Sequence, residues 1–526
     1  MAASTSLALV LAVCCCCCYA ASVAPLSSAD SSGEFLQCLA AGVPSQLVVT
    51  RGSSSFASVL ASSVRNPRFL APGTVRPLCV VTPTNASHVQ AAVLCGRRHG
   101  VRLRVRSGGH DYEGLSYRSV RQEVFAVVDL AGLRSVRVNR RAATAWVDSG
   151  ATVGEMYYAV AKADAGLAFP AGLCPTIGVG GHFSGGGIGM MMRKYGLSVD
   201  NVLDAMVVDA NGRLLDKKAM GRDYFWALRG GGGESFGIVL SWKVRLVAVP
   251  RTVTVFNIQK TLAQGAVDAV TKWQTLAPAA LPDELTIRVG VQNKQALFQS
   301  LYLGTCDQLL PVMGSRFPEL GMTRNDCREM SWLQPFVYIN GGTSSTPGEV
   351  LLNLTTSLSV YTKNKSDYVK QAIPSASWEK IFPWFDGAAG AGLIILEPHG
   401  GRVGSIADGN TPYPHRSGVR YIIQYVAFWP TTPATPAVPD WIKNVHAFME
   451  PFVTSNPRDA YVNYRDLDIG ENAVAGGVTS YENGRVWGEK YFGAANFRRL
   501  ALTKGKVDAS DYFRNEQSIP PLVSTK

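Results

Sequence analysis

Arg104-Val-Arg-Ser-Gly-Gly-His-Asp111 and Gly172-Leu-Cys-Pro-Thr-Ile-Gly-Val-Gly-Gly-His-Phe-Ser-Gly-Gly-Gly-Ile-Gly189 are the two stretches on which the fold of this chain turns. Consecutive glycines carry no Cβ, so several backbone N–H groups can converge on one anion, as a pyrophosphate requires. Neither stretch has the Rossmann spacing, and no Lys-Ser or Lys-Thr closes a Walker-type loop. Two tight, glycine-rich turns would read the same way, so glycine alone decides nothing. The informative residues sit beside the glycines: His110 follows Gly-Gly at a strand end, and Cys174 precedes Pro175.

Outward from these loops the chain alternates helices and strands between Pro83 and about Leu246. Thr84 is the expected N-cap of a helix over Ala86 to His99, which Gly100 stops. Val101-Arg-Leu-Arg-Val-Arg106 alternates apolar and basic residues, the period of a half-buried strand. Strands follow near Val124 to Leu130 and Thr144 to Val147, and Thr152-Val-Gly-Glu155 is a capping box opening a helix that ends near Gly166. Such an order belongs to an α+β or α/β domain. After Pro250 aromatic, β-branched and turn residues alternate to about Pro451, the pattern of a second domain, a sheet with helices on one face. Pro430 to Pro439 reads as a connection, and strong local patterns return from Asn456 to Pro521.

At 526 residues the chain exceeds one compact core, and 47 % hydrophobic with 17 % charged residues describes a folded protein rather than a disordered one. Leu7 to Cys18 is an apolar run followed by small residues, which reads as a secretory leader over residues 1–24. The run is about 12 residues where a bilayer span needs roughly 20, and no later stretch is long enough, so no membrane anchor is expected. Secretion makes Asn85, Asn353 and Asn364, each in an Asn-X-Ser/Thr sequon, usable for glycosylation. Five of the 11 cysteines lie in the leader. Cys38, Cys79, Cys95, Cys174, Cys306 and Cys327 remain, with no CxxC pair, so no metal site is expected and disulfides are the default. The net charge of +12 on a secreted chain favours an acidic wall polysaccharide over nucleic acid as a neighbour.

These motifs, with Leu228-Arg-Gly-Gly-Gly-Gly-Glu-Ser-Phe-Gly237, Asn463-Tyr-Arg-Asp-Leu-Asp468 and Phe513-Arg-Asn-Glu-Gln-Ser-Ile-Pro-Pro521, make the chain resemble the berberine bridge enzyme-like proteins, within the vanillyl-alcohol-oxidase type of flavoprotein. The resemblance covers nearly everything after the leader. It implies an α+β protein: a two-part, PCMH-type FAD-binding domain plus a substrate domain built on an antiparallel sheet covered by helices. The corresponding ranges are residues 25–72 and 73–249 for the FAD domain, 250–455 for the substrate domain, and 456–526 for a C-terminal segment returning to the first. It further implies FAD held by two covalent bonds, from His110 to the 8α-methyl carbon and from Cys174 to ring carbon C6. Imidazole and thiolate are nucleophiles suited to that attachment. Arg106, Ser107, Gly108, Gly109, Thr176, Gly178, Gly180, Gly181, His182, Ser184, Gly185, Gly186, Gly187 and Asn515 are the further cofactor-binding candidates. Cys38–Cys95 is the disulfide the family implies; Cys306–Cys327 fits by location, which leaves Cys79 as a buried thiol.

On the substrate side the resemblance points to Tyr464 as base, with Gln424 and Tyr195 lining the cavity. A phenol of pKa about 10 needs a positive neighbour or a hydrogen bond to act near neutrality. Some family members active on monolignols carry Lys two places before the glutamine, where this chain has Ile422. Ile177, three residues after Cys174, stands where related proteins gate oxygen, and its bulk implies a dehydrogenase rather than an oxidase. The expected substrate is an alcohol, a mono- or oligosaccharide first, monolignols second and alkaloid-type compounds third; the electron acceptor is unknown from sequence. Two rival readings are a catalytically idle wall protein that binds acidic polysaccharide and a protein that binds a nucleotide non-covalently.

Overall fold

In the computed structural model, residues 28–355, 360–386, 392–431 and 437–523 are described. The leader expected over residues 1–24 lies outside them. Two larger sheets frame the first half, beside a short pair of Leu167–Ala168 with Val247–Ala248. One sets strands Val48–Thr50, Cys79–Val81, Phe125–Asp129 and Arg102–Arg106 side by side, the last three parallel. The other is antiparallel, in the order Val136–Asn139, Thr144–Asp148, Ile238–Arg245, Val202–Val208 and Leu214–Leu215. The capping box at Thr152 and Glu155 is formed and opens the helix Val153–Ala163.

The strand Arg102–Arg106 departs from the half-buried expectation: Arg104 and Arg106 are its most deeply buried members, together with Leu103. Each guanidinium is matched by a carboxylate, Arg104 by Glu516 and Glu123, Arg106 by Asp129. Pairing offsets part of the cost of burying each charge, which an unpaired guanidinium would bear in full. Likewise Asn85, not Thr84, caps the helix Ala86–Arg98, its Oδ1 accepting from the His88 amide.

The second half is built on one large antiparallel sheet, in the order Arg328–Met330, Val253–Val255, Gln295–Tyr302, Leu285–Gln292, Gly392–Pro398, Tyr421–Pro430 and Val360–Val369, with Asn257–Thr261 also paired to Gln295–Tyr302. Helices Ala266–Ala279, Cys306–Arg316, Ser375–Ile381 and Asp440–Phe448 supply Trp273, Leu309, Trp378 and Ile442 to a core shared with Tyr421, Ile423 and Tyr425. Ile422 belongs instead to the core of the first half, with Tyr157, Phe183 and Trp242. This alternation follows from the two-residue period of a strand, and it places Gln424 on the face turned toward the glycine loops. The helix Tyr481–Val507, kinked at Gly493 (φ +68°), adds Trp487, Phe497 and Leu500 to that same first core. The C-terminal segment therefore packs with the first half of the chain.

Cys38–Cys95 and Cys306–Cys327 are disulfide-bonded and Cys79 is a buried free thiol, raised to about 12 by its burial. Asn85 and Asn353 are exposed. Asn364 is not an available glycosylation site in the folded molecule: it is fully buried inside the strand Val360–Val369, and its Oδ1 accepts from Gln424 Nε2 at 2.7 Å.

Candidate active site

The two glycine loops meet backbone to backbone. A Cβ on Gly108 would lie 2.3 Å from the Gly178 nitrogen, and one on Gly178 would lie 2.1 Å from the Gly108 nitrogen. Gly109 has φ +70°, and a Cβ there would strike the Ser63 carbonyl oxygen. Only glycine fits such an approach. Ser107 Oγ donates to the Ser149 carbonyl at 2.5 Å and ties the first loop to the second sheet. Around this junction lies a long cavity walled by Ser107 to Tyr112, Gly172 to Cys174, Gly178, Gly180, Gly181 and Ser184, and by Gly232 to Glu234 of the third glycine run. Its far wall includes Asn515, set in place by the buried Arg104–Glu516 pair.

His110 and Cys174 reach the same hydroxyl: His110 Nε2 lies 3.0 Å and Cys174 Sγ 3.4 Å from Thr176 Oγ1. Burial and the Arg65 guanidinium lower His110 to about 3, so the imidazole is neutral and its lone pair available. His182 is lowered to about 4 by burial and accepts from the Gly172 amide at 2.9 Å, which places its proton on Nδ1.

At the sheet side of the cavity, Tyr464 Oη donates to Glu397 Oε2 at 3.1 Å. Arg288 and Gln424 line the same wall. Gln424 Nε2 contacts Tyr112 Oη at 3.0 Å, and the Tyr112 ring stands edge-on to Tyr464. Of the two supports expected for Tyr464, the one in contact is a hydrogen bond, to a carboxylate; the positive charge, Arg288, acts from farther off. Burial and Glu397 hold Tyr464 well above the usual phenol range. Burial likewise raises Glu397, opposed by Arg288.

Several candidates fall elsewhere. Arg106 does not line the cavity: it is buried against Asp129 and the carbonyls of Val59 and Leu60, a structural anchor. Gly185, Gly186 and Gly187 lie behind the wall, packed against Asn463, Tyr413 and Ser198, where a side chain would not fit. Thr176 does not line the cavity; its Oγ1 contacts His110 and Cys174 from behind. Tyr195 is absent from the cavity wall; its hydroxyl donates to the Ala248 carbonyl at 2.5 Å beside a separate cleft with Arg245 and Arg402. Ile422, buried beside Glu397 in register, offers no cation there. Ile177 does line the cavity, its carbonyl accepting from Val153 N.

Sequence reading missed Glu397, Arg288, Tyr112 and Arg465. Glu397 left a trace as the one charge in the apolar run Gly392–Pro398. Arg465 donates from Nε to Asp111 Oδ2 at 2.8 Å and also bonds Glu234, tying the first and third glycine runs to its own segment. Neighbouring nucleophiles on the wall, a Cβ-free backbone junction and amide-rich loops form a donor set suited to a flavin dinucleotide.

Comparison with known proteins agrees. The family description "FAD binding domain" matches residues 77–217 and "Berberine and berberine like" matches residues 460–520. The chain is 56 % identical over 515 residues to berberine bridge enzyme-like Cyn d 4 of Cynodon dactylon, covering 98 % of each. It is 46 % identical over 521 residues to berberine bridge enzyme-like 28 of Arabidopsis thaliana, covering 95 % of this chain and 97 % of that one. Among solved structures, Phl p 4, described as a grass pollen allergen with glucose dehydrogenase activity, superposes with a TM-score of 0.91 at 54 % identity, covering 93 % of this chain and all of the other. An isoleucine-to-valine variant of Phl p 4, described as a glucose oxidase, superposes equally well. With this cavity and these relatives, the chain belongs to the berberine bridge enzyme-like family and is an FAD-dependent oxidoreductase.

Proposed function

We propose that this protein oxidises a carbohydrate hydroxyl with FAD held covalently by both His110 and Cys174, as a dehydrogenase. The observation that carries the reading is the Tyr464–Glu397 pair on the wall of the cavity that also presents His110 and Cys174. The flavin, when bound, supplies the hydride acceptor. Ser107, Gly108, Gly109, Gly178, Gly180, Gly181, His182, Ser184 and Asn515 are the residues that would hold it.

The chain's own part is proton chemistry. Tyr464 is far too weak an acid to stand as a phenolate near neutrality, so it takes the substrate hydroxyl proton while passing its own to Glu397. The ionised carboxylate is the final acceptor, and Arg288 favours that form. Gln424, with Nε2 engaged by Asn364 and Tyr112, presents Oε1 to a second hydroxyl. Glucose oxidation by Phl p 4 and the buried Ile422 favour a sugar over a monolignol. Ile177 narrows the cavity beside Cys174 and supports slow reaction with oxygen. Two disulfides and the exposed sequons at Asn85 and Asn353 support secretion, where the basic surface would meet acidic polysaccharide.

Acid denaturation followed by peptide mass mapping tests the linkage: flavin retained on peptides holding His110 and Cys174 is expected, and FAD released to the supernatant would refute it. Anaerobic mixing with glucose and cellobiose tests the chemistry, with bleaching of the flavin expected and Tyr464→Phe slowing it by roughly a hundredfold.

A further inference from the structure

We propose that Lys363 and Lys365 are positioning residues for proton removal, fixing Tyr464, Tyr112 and Gln424 relative to one another. The proposal rests on Tyr464 as the group that takes the substrate's proton. Lys363-Asn364-Lys365 lies on the terminal strand of the large sheet, and it touches the three chain segments that carry Tyr112, Gln424 and Tyr464.

Lys365 Nζ donates to Asp466 Oδ2 and Asp468 Oδ2, both at 2.7 Å. Lys363 Nζ donates to Asp466 Oδ1 at 2.7 Å and also bonds Glu113. The two ammonium groups therefore grip opposite oxygens of one carboxylate, which fixes its rotation. Asp466 follows Tyr464 by two residues, and its backbone is held as well, N donating to Tyr491 Oη and O accepting from Gln517. Glu113 directly follows Tyr112. Asn364, between the lysines, accepts from Gln424 Nε2, which in turn reaches Tyr112.

Lys363, Lys365, Glu113 and Asp466 are all buried. Buried ion pairs are poor sources of net stability, because desolvation offsets their attraction. Their directional contacts are instead suited to fixing a geometry to a fraction of an ångström, on which proton transfer depends.

The test is a double-mutant cycle of Lys365→Met and Tyr464→Phe in the holoenzyme. Anaerobic flavin reduction is followed with whichever of glucose, cellobiose and coniferyl alcohol reduces the wild type fastest. Lys365→Met should slow reduction by roughly tenfold or more while half-saturation stays within about twofold. On the Tyr464→Phe background the same substitution should change the rate by less than about twofold, because both act on one step. A wild-type rate in Lys365→Met, or an equal loss on both backgrounds, overturns the proposal. A wild-type rate in Tyr464→Phe instead overturns the reading of Tyr464. If Lys365→Met does not accumulate as folded holoenzyme, Asp468→Asn, at the partly exposed end of the cluster, takes its place, and an unchanged reduction rate there overturns the proposal.

Discussion

Replacing Glu397 by glutamine keeps the side chain's shape and its acceptor toward Tyr464 but removes its capacity to hold a proton. In the structure Tyr464 Oη donates to Glu397 Oε2 at 3.1 Å on the cavity wall, with Glu397 buried and Tyr464 half-buried. A hydrogen bond to a charged acceptor contributes about 1.5–3 kcal/mol, and each 1.36 kcal/mol is about tenfold in rate. Glu397→Gln should therefore slow anaerobic flavin reduction by about ten- to two-hundredfold, read as the bleaching of flavin absorbance after rapid mixing with sugar. The wild-type rate should rise with pH as Glu397 ionises, at a pH above the ordinary carboxylate range because burial raises it; that limb should vanish in the variant. Stability should move the other way. A carboxyl raised in the folded state binds more protons there than in the unfolded chain, so stability falls as pH rises from the unfolded value through the folded one. Glu397→Gln should then melt higher than wild type at neutral pH. A variant that reduces at the wild-type rate with an unchanged pH profile would refute the relay.

Ile177→Val removes one methylene from the cavity wall beside Cys174 and should speed reoxidation of the reduced enzyme by dissolved oxygen, measured by stopped-flow, without altering flavin reduction. Opening Cys306–Cys327 with serines releases a crosslink of sequence separation 21; the loss should be about 3 kcal/mol in denaturant unfolding, with flavin reduction unchanged. Glycopeptide mapping of protein expressed through a secretory pathway should find sugar at Asn85 or Asn353 and none at Asn364, whose amide lies within the sheet.

Much of the fold was legible because its signals are local. The capping box at Thr152 and Glu155 needs only a side chain three residues from its partner, and a sheet after Pro250 declares itself by β-branched and aromatic alternation, its antiparallel order coming from the resemblance. His110 and Cys174 stand out beside the glycine runs, but glycine alone assigns them nothing; the resemblance carried by five separated motifs is what points to them. Arg104 and Arg106 were misread because an alternating apolar-basic strand signals one wet face unless carboxylates from elsewhere, here Glu516 and Asp129, cover it. Tyr195 was misplaced because motif likeness carries no direction for a side chain, and its hydroxyl turns to Ala248.

The sequence by itself determined the glycine loops, the two nucleophiles beside them, the tyrosine in Asn463-Tyr-Arg-Asp466 and the division into alternating and sheet-rich halves. Tertiary structure alone decided that Tyr464 meets Glu397, 67 residues away in sequence, and that Lys363 and Lys365 close on Asp466. The reason is range. Backbone propensities, caps and strand periods act within a few residues, whereas the charge that sets a buried group's proton affinity comes from whichever segment the packed core brings alongside it.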